Sequence, residues 1–111
     1  MTSMITNNEE DIFLAVENSE VIGFIHVKEE FTLPYDSIIP HHYALIAELM
    51  VTSGHRKEGI GSKLMDTAKQ WAVERNLDYL QLLVLAEAEN QYQFYKNRDF
   101  ITVFRTMRHK L

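Results

Sequence analysis

Gly59 and Gly61 stand where an apolar run gives way to an amphipathic helical pattern, and this junction constrains the fold more than any other feature of the chain. The run from Tyr43 to Val51 (YALIAELMV) is bounded by His41-His42 and by Thr52-Ser53-Gly54, and it predicts a largely buried strand. Beyond the glycines, Ile60, Leu64, Ala68, Trp71 and Ala72 recur on one helical face. Lys63, Asp66, Lys69, Gln70 and Glu74 fall on another. This spacing predicts a helix near Gly59 to Arg75, with Asn76 as its stop. A glycine-bearing strand-to-helix junction beside Arg56 and Lys57 has the chemistry of an anion cradle. Glycine lets backbone N–H groups approach a phosphate without a Cβ in the way, and a helix start offers unpaired donors and the positive end of its dipole.

Three phosphate-binding patterns compete for the stretch. A P-loop needs a lysine directly after its last glycine, but Ser62-Lys63 stand in the reverse order. A dinucleotide fingerprint needs a third glycine where Leu64 stands. What remains is Arg-x-x-Gly-x-Gly, met by Arg56, Gly59 and Gly61, and here the sequence resembles the GNAT superfamily of N-acetyltransferases. The context extends the resemblance over roughly residues 11 to 111. An apolar run Tyr79–Leu85 (YLQLLVL) reads as a strand, a short polar helix ends in Phe94-Tyr95-Lys96-Asn97-Arg98-Asp99-Phe100, and Phe100–Leu111 reads as a last strand with a slight break near Arg105-Thr106. Phe94-Tyr95 resembles the family's Phe-Tyr-x-x-x-Gly-Phe, with Asp99 in place of the glycine. Aspartate tolerates a left-handed backbone better than most residues. Seven residues before the tyrosine, where the family often carries an asparagine, stands Ala88, with Asn90 nearby.

Upstream, Asp11–Val16 and Val21–Lys28 flank a polar turn and predict a hairpin, and Glu29–His42, holding both prolines, reads as a long loop. The fold class is thus α/β (α+β), a GNAT-like mixed, mostly antiparallel sheet with two helices, in one domain spanning residues 1–111. Relatives usually open with a strand and two helices; this sequence is expected to begin at the hairpin, with the cofactor half intact and the acceptor side shortened. The apolar surface so uncovered predicts a homodimer, in which Phe100–Leu111 pairs or exchanges between chains.

The resemblance implies an acetyl-CoA-dependent N-acetyltransferase that transfers acetyl directly to a primary amine of a small molecule or peptide. The cofactor site it implies comprises Leu49, Met50, Val51, Arg56, Lys57, Glu58, Gly59, Ile60, Gly61, Ser62, Asn90 and Tyr95. The backbone of Leu49 and Val51 would bind the pantetheine arm like an added strand, where the strands Tyr43–Val51 and Tyr79–Leu85 part. Tyr95 is implied as the general acid that protonates the departing thiolate, although an aromatic at helical spacing is more often core. Glu48 stands in an otherwise apolar strand, where burying an unpaired carboxylate is costly, so it faces solvent or a cleft. Alternation sets Glu48 and Met50 on one face and Leu49 and Val51 on the other. In the resembling family an acid on this strand often acts as base, and simple solvation is the competing reading of Glu48. Trp71, Tyr79 and Tyr92 read as packing.

Composition narrows the function classes. The chain has no cysteine, so a thiol nucleophile, a disulfide framework and a thiolate metal site are excluded. His26 and His41-His42 lack metal-ligand spacing, and no metal is expected. A net charge of −5 argues against nucleic-acid binding, and no apolar run reaches membrane-spanning length. The N-terminus lacks signal-peptide regions, and a cytoplasmic location is the expectation. Two readings of other classes remain: a CoA-binding module without catalysis, and a subunit of an assembly.

Overall fold

Alternation of Asp11, Phe13 and Ala15 with Ile12, Leu14 and Val16 gives the hairpin one face for the core. In the computed structural model it forms β2 (Glu10–Glu17) and β3 (Glu20–Phe31). They are joined by Asn18 and Ser19 at φ 52° and 66°. Two successive left-handed residues make a turn whose twist matches that of the strands it joins. The structure describes the backbone of residues 2–6 and, in full, residues 9–32, 39–55, 59–85 and 87–111.

A strand precedes the hairpin: β1 (Thr2–Thr6) runs antiparallel to β2, from Thr2 opposite Ala15 to Thr6 opposite Asp11. The expectation that the sheet begins at the hairpin is corrected here. TSMIT has no alternation to separate it from coil, and pairing along β2 makes it a strand. Among the described residues no helix precedes β2.

β4 (His42–Val51) lies antiparallel to β3, and the short β5 (Leu80–Gln81) lies parallel to β4, giving the sheet order β1-β2-β3-β4-β5. The helix α1 (Ile60–Glu74) crosses one face. Its buried side chains Ile60, Leu64, Met65, Ala68, Trp71 and Ala72 meet Ala15, Ile25, Val27, Ala44 and Ile46. Asn76 ends it as the sequence predicts: at φ 57° it is left-handed, its N–H bonds Val73 O at 3.1 Å, and Leu77 N–H bonds Ala72 O at 3.1 Å. The polar helix follows as α2 (Glu89–Lys96).

Under α1 a buried carboxylate ties helix to sheet. Asp11, 2% exposed, accepts the indole N–H of Trp71 and lies 3.5 Å from an Arg75 nitrogen. The Arg75 guanidinium stacks 4.4 Å above the Trp71 ring and reaches Glu29 at 3.6 Å.

Two strand expectations are corrected. Of Tyr79–Leu85 only Leu80 and Gln81 pair, because β4 departs from this segment beyond Leu45; Leu82 packs on the core, while Leu83 and Leu85 face solvent. Phe100–Leu111 forms no strand, and residues 101–111 are exposed throughout. Its β-forming composition finds no strand partner among the described residues. The loop expected over Glu29–His42 is shorter at both ends, since Glu29, Glu30 and Phe31 extend β3 and His42 opens β4; residues 33–38 lie outside the described residues.

Candidate active site

The end of β4, the start of α1 and the end of α2 converge. A Cβ on Gly61 would lie 3.4 Å from Phe94 Cζ and 3.9 Å from a Val51 methyl, so all three elements meet at this glycine. Gly59 is the N-cap of α1 at φ 78°, a left-handed conformation that favours glycine, and it makes no side-chain cap hydrogen bond. Among the described residues, the first-turn donors of α1, at Ile60, Gly61 and Ser62, therefore lie at a helix start with no side-chain cap. Ile60 itself is buried, so it can contribute only its backbone. Arg56, Lys57 and Glu58 lie outside the described residues.

β4 carries a second feature of the site. Its pairing with β3 slips between Ile46, opposite Val27, and Glu48, opposite His26, so Ala47 is an extra residue in the strand. The slip reverses the phase of the strand. Ala44 N–H bonds outward to Tyr79 O at 2.9 Å, whereas Thr52 N–H bonds inward to Ile22 O at 2.9 Å. Successive residues of a strand turn their backbone groups to opposite edges, so Leu49 and Val51 turn theirs to the outer edge and Glu48 and Met50 turn theirs to β3. Among the described residues no strand pairs with β4 on that outer edge beyond Leu45.

The side chains divide as the alternation predicts: Leu49 and Val51 pack against the core, and Glu48 and Met50 are exposed. Glu48 lies opposite His26 on the face turned away from α1, where His26 Nε2 meets Glu10 Oε1 at 3.1 Å. Tyr95 is half-buried, edge-on to Phe94 at 5.3 Å and to Phe100 at 5.6 Å between ring centroids. Burial raises its phenol above the ordinary value of 10.0, so the group stays protonated at neutral pH. Asp99 is left-handed at φ 67°, the backbone the family's glycine would supply. Asn90 is exposed in the first turn of α2, whose N-cap is Ala88.

One cation of the site escaped the sequence reading. Arg98 donates to the Ser62 hydroxyl, bonds Phe94 O at 3.4 Å, and lies 3.9 Å over the Phe94 ring. It brings a guanidinium to the start of α1. Its four-residue spacing from Phe94 at a helix end was the available signal. The histidines pair with carboxylates: His41 with Asp78 at 3.0 Å, His42 with Glu29 at 3.6 Å and His55 with Glu17 at 3.8 Å. Among the described residues no three His, Asp or Glu are grouped to hold a metal, and no helix is long and apolar enough to cross a membrane.

Comparison with known proteins bears on the family and the fold. Residues 2–100 match the model of the acetyltransferase (GNAT) family. An uncharacterized N-acetyltransferase of Archaeoglobus fulgidus is 27% identical over 96 residues, which are 86% of this chain and 63% of that protein. The chain thus spans less than two thirds of that relative's length. A point mutant of the BH1408 protein from Bacillus halodurans superposes with a TM-score of 0.86 at 16% identity, covering 93% of this chain and 66% of that one. An aminoglycoside N-acetyltransferase in complex with CoA gives 0.82 at 12% identity, covering 95% and 78%. The fold is shared with these structures, and with its family model matched over nearly its whole length the chain belongs to the GNAT family of acetyltransferases.

Proposed function

We propose that this chain is an acetyl-CoA-dependent N-acetyltransferase acting on a primary amine. The observation that carries the reading is the bulge at Ala47, which turns the backbone of Leu49 and Val51 to the outer edge of β4 just where β5 leaves it. An extended pantetheine arm with amide donors and acceptors suits such an edge, as a peptide strand would. At the end of that edge, the start of α1 supplies backbone donors at Ile60, Gly61 and Ser62, with Arg98 alongside, for a pyrophosphate.

The chemistry then divides among few groups. The amine nitrogen attacks the thioester carbonyl, a backbone N–H of the β4 edge stabilises the oxyanion, and the C–S bond breaks. Tyr95 gives its proton to the departing sulfur, a role suited to a phenol that burial keeps protonated. Glu48, exposed opposite His26 and near Glu10, supplies negative charge for a cationic amine and a base for its proton. Holding both substrates on one edge supplies much of the rate.

Calorimetry with CoA tests the cradle. A Cβ on Gly59 would enter open space at the start of α1, with nothing within 4 Å, so Gly59→Ala is expected to fold and to lose at least about tenfold in affinity by blocking backbone approach. Thiol release across a panel of primary amines tests transfer. A folded Gly59→Ala chain with parental CoA affinity rejects the cradle. CoA binding without thiol release for any amine rejects catalysis and leaves a CoA-binding module.

A further inference from the structure

Asp11 interrupts the inward, apolar face of β2, in line with Phe13 and Ala15 beneath α1. It is 2% exposed, yet only part of its accepting capacity is used. Its Oδ2 accepts the indole N–H of Trp71 and lies 3.5 Å from an Arg75 nitrogen, while its Oδ1 is buried with no hydrogen-bond partner. A carboxylate oxygen buried in this way has given up its hydration for no hydrogen bond in exchange. What it lacks is a donor.

The same aspartate lines a cavity of about 590 Å³ between β2 and the second half of α1, a volume suited to a small molecule. Phe13 and Trp71 give it an apolar wall. Asp66 and Glu74 stand exposed at its rim, where Gln70 donates to Glu74 Oε1 at 3.0 Å. Among the described residues the lining carries three carboxylates and one guanidinium, that of Arg75, which Asp11 shares with Glu29. The field inside is therefore negative. The helix adds to it, because its carbonyl end is the negative pole and the last turn of α1 carries no basic residue. This cavity lies apart from the proposed CoA site. Gly61 and Trp71 are ten residues apart on α1, about 15 Å along its axis, and β3 separates β2 from β4.

We propose that this cavity binds a primary alkylammonium ion with a short aliphatic chain. The ammonium head carries the charge that the lining calls for and donates to Asp11 Oδ1, while Arg75 keeps Oδ2 and Glu29. The aliphatic chain lies against Phe13 and Trp71, and Asp66 and Glu74 hold the field at the mouth. A bare metal ion suits the place less well, since among the described residues no three His, Asp or Glu are grouped to hold one. The inference does not depend on the catalytic reading.

Trp71 is the single tryptophan of the chain, so its fluorescence reports on the cavity directly. Titration of the whole chain with n-hexylammonium chloride at neutral pH and low salt is expected to shift Trp71 emission saturably, with a Kd below about 1 mM. The uncharged n-hexanol is expected to bind at least about tenfold more weakly. Asp11→Asn keeps an acceptor for the indole but removes the charge, and should weaken the ammonium at least about tenfold. Asp66→Asn combined with Glu74→Gln changes only exposed side chains, so it folds whatever Asp11→Asn does, and should weaken binding at least about threefold. Glu48→Gln should leave the response as it is. The proposal is overturned by no saturable response up to about 10 mM, by equal binding of n-hexanol, or by a response that the rim pair leaves intact. A response lost in Glu48→Gln overturns it as well, since the amine would then sit at the β4 edge.

Discussion

The two halves of the sheet are held in different ways. From β2 to β4, side chains of both strands and α1 close on one another, and Ile25, Val27, Ala44, Met65 and Ala68 have no exposed surface. From β5 onward the chain has the same apolar composition but little to bury it against: α2 has no buried residue, and Leu83 is 90% exposed. The closed half is a scaffold. The open half is where β4 loses its neighbour and presents a backbone edge, so the proposed binding function occupies the region where packing stops.

The sharpest way to break this contrast is a matched pair of truncations. Leu64→Ala, at a fully buried position of α1, is expected to cost about 3 kcal/mol, and Leu83→Ala less than about 0.5 kcal/mol. Urea unfolding followed by circular dichroism measures both. Similar costs at the two sites would mean that the open half shares the core after all.

Asp11→Ala probes the same half through its buried polar group. The substitution leaves the Trp71 indole N–H without its acceptor and the Arg75 guanidinium without one of its carboxylates, at an expected cost of about 3 kcal/mol. A loss under about 1 kcal/mol would show that the aspartate is paired at no net gain.

Much of this contrast was legible in the sequence, and the reasons for success and failure are physical. The face of α1 was readable because Leu64, Ala68 and Trp71 repeat with helical period, and Asn76 because its left-handed cap is a local event. Phe100–Leu111 and Tyr79–Leu85 were misread as full strands, since β-propensity says that a segment suits a sheet, not that a partner lies within reach. β1 was missed for the inverse reason: a strand of five residues with no alternation is made by its neighbour. At the site, Gly59, Gly61 and the direction of Leu49 and Val51 were accessible from motif and alternation. The bulge at Ala47 that sets their backbone phase was not, because a slip in pairing leaves no mark on composition. Arg98 was missed because its contact with Ser62 joins residues far apart in sequence.

In the open half, Tyr95→Phe separates chemistry from packing. The ring still fills its place between Phe94 and Phe100, so stability and CoA affinity are expected to change little while the transfer rate falls about 10²-fold. Burial raises the phenol above 10.0, so on the alkaline side the parent should lose activity through this group only as pH rises beyond that value, and the variant should lack this limb. Parental turnover in the variant would remove the phenol from the mechanism.

Gly59→Ala tests the left-handed residue that opens α1. Nothing lies within 4 Å of the added Cβ, so its cost is conformational alone: about 1–2 kcal/mol for holding a side chain at φ 78°. An unchanged denaturation midpoint would show that the turn relaxes freely.

The smallest effect belongs to the link between β4 and the segment leading into β5. Asp78 accepts from His41 at 3.0 Å and from His42 N–H at 3.2 Å, and these bonds hold its carboxyl below the ordinary value of 3.8. A depressed folded-state pKa stabilises the fold above the unfolded value and ceases to do so as pH falls through the folded one. The group lies at the surface, so Asp78→Asn is expected to destabilise only slightly near pH 7. The gap from the parent should stay constant down to about pH 5 and shrink below about pH 4. Urea midpoints of parent and variant at several pH values measure it. A gap that widens toward acid would reverse the sign and show that the bonds to Asp78 favour its protonated form.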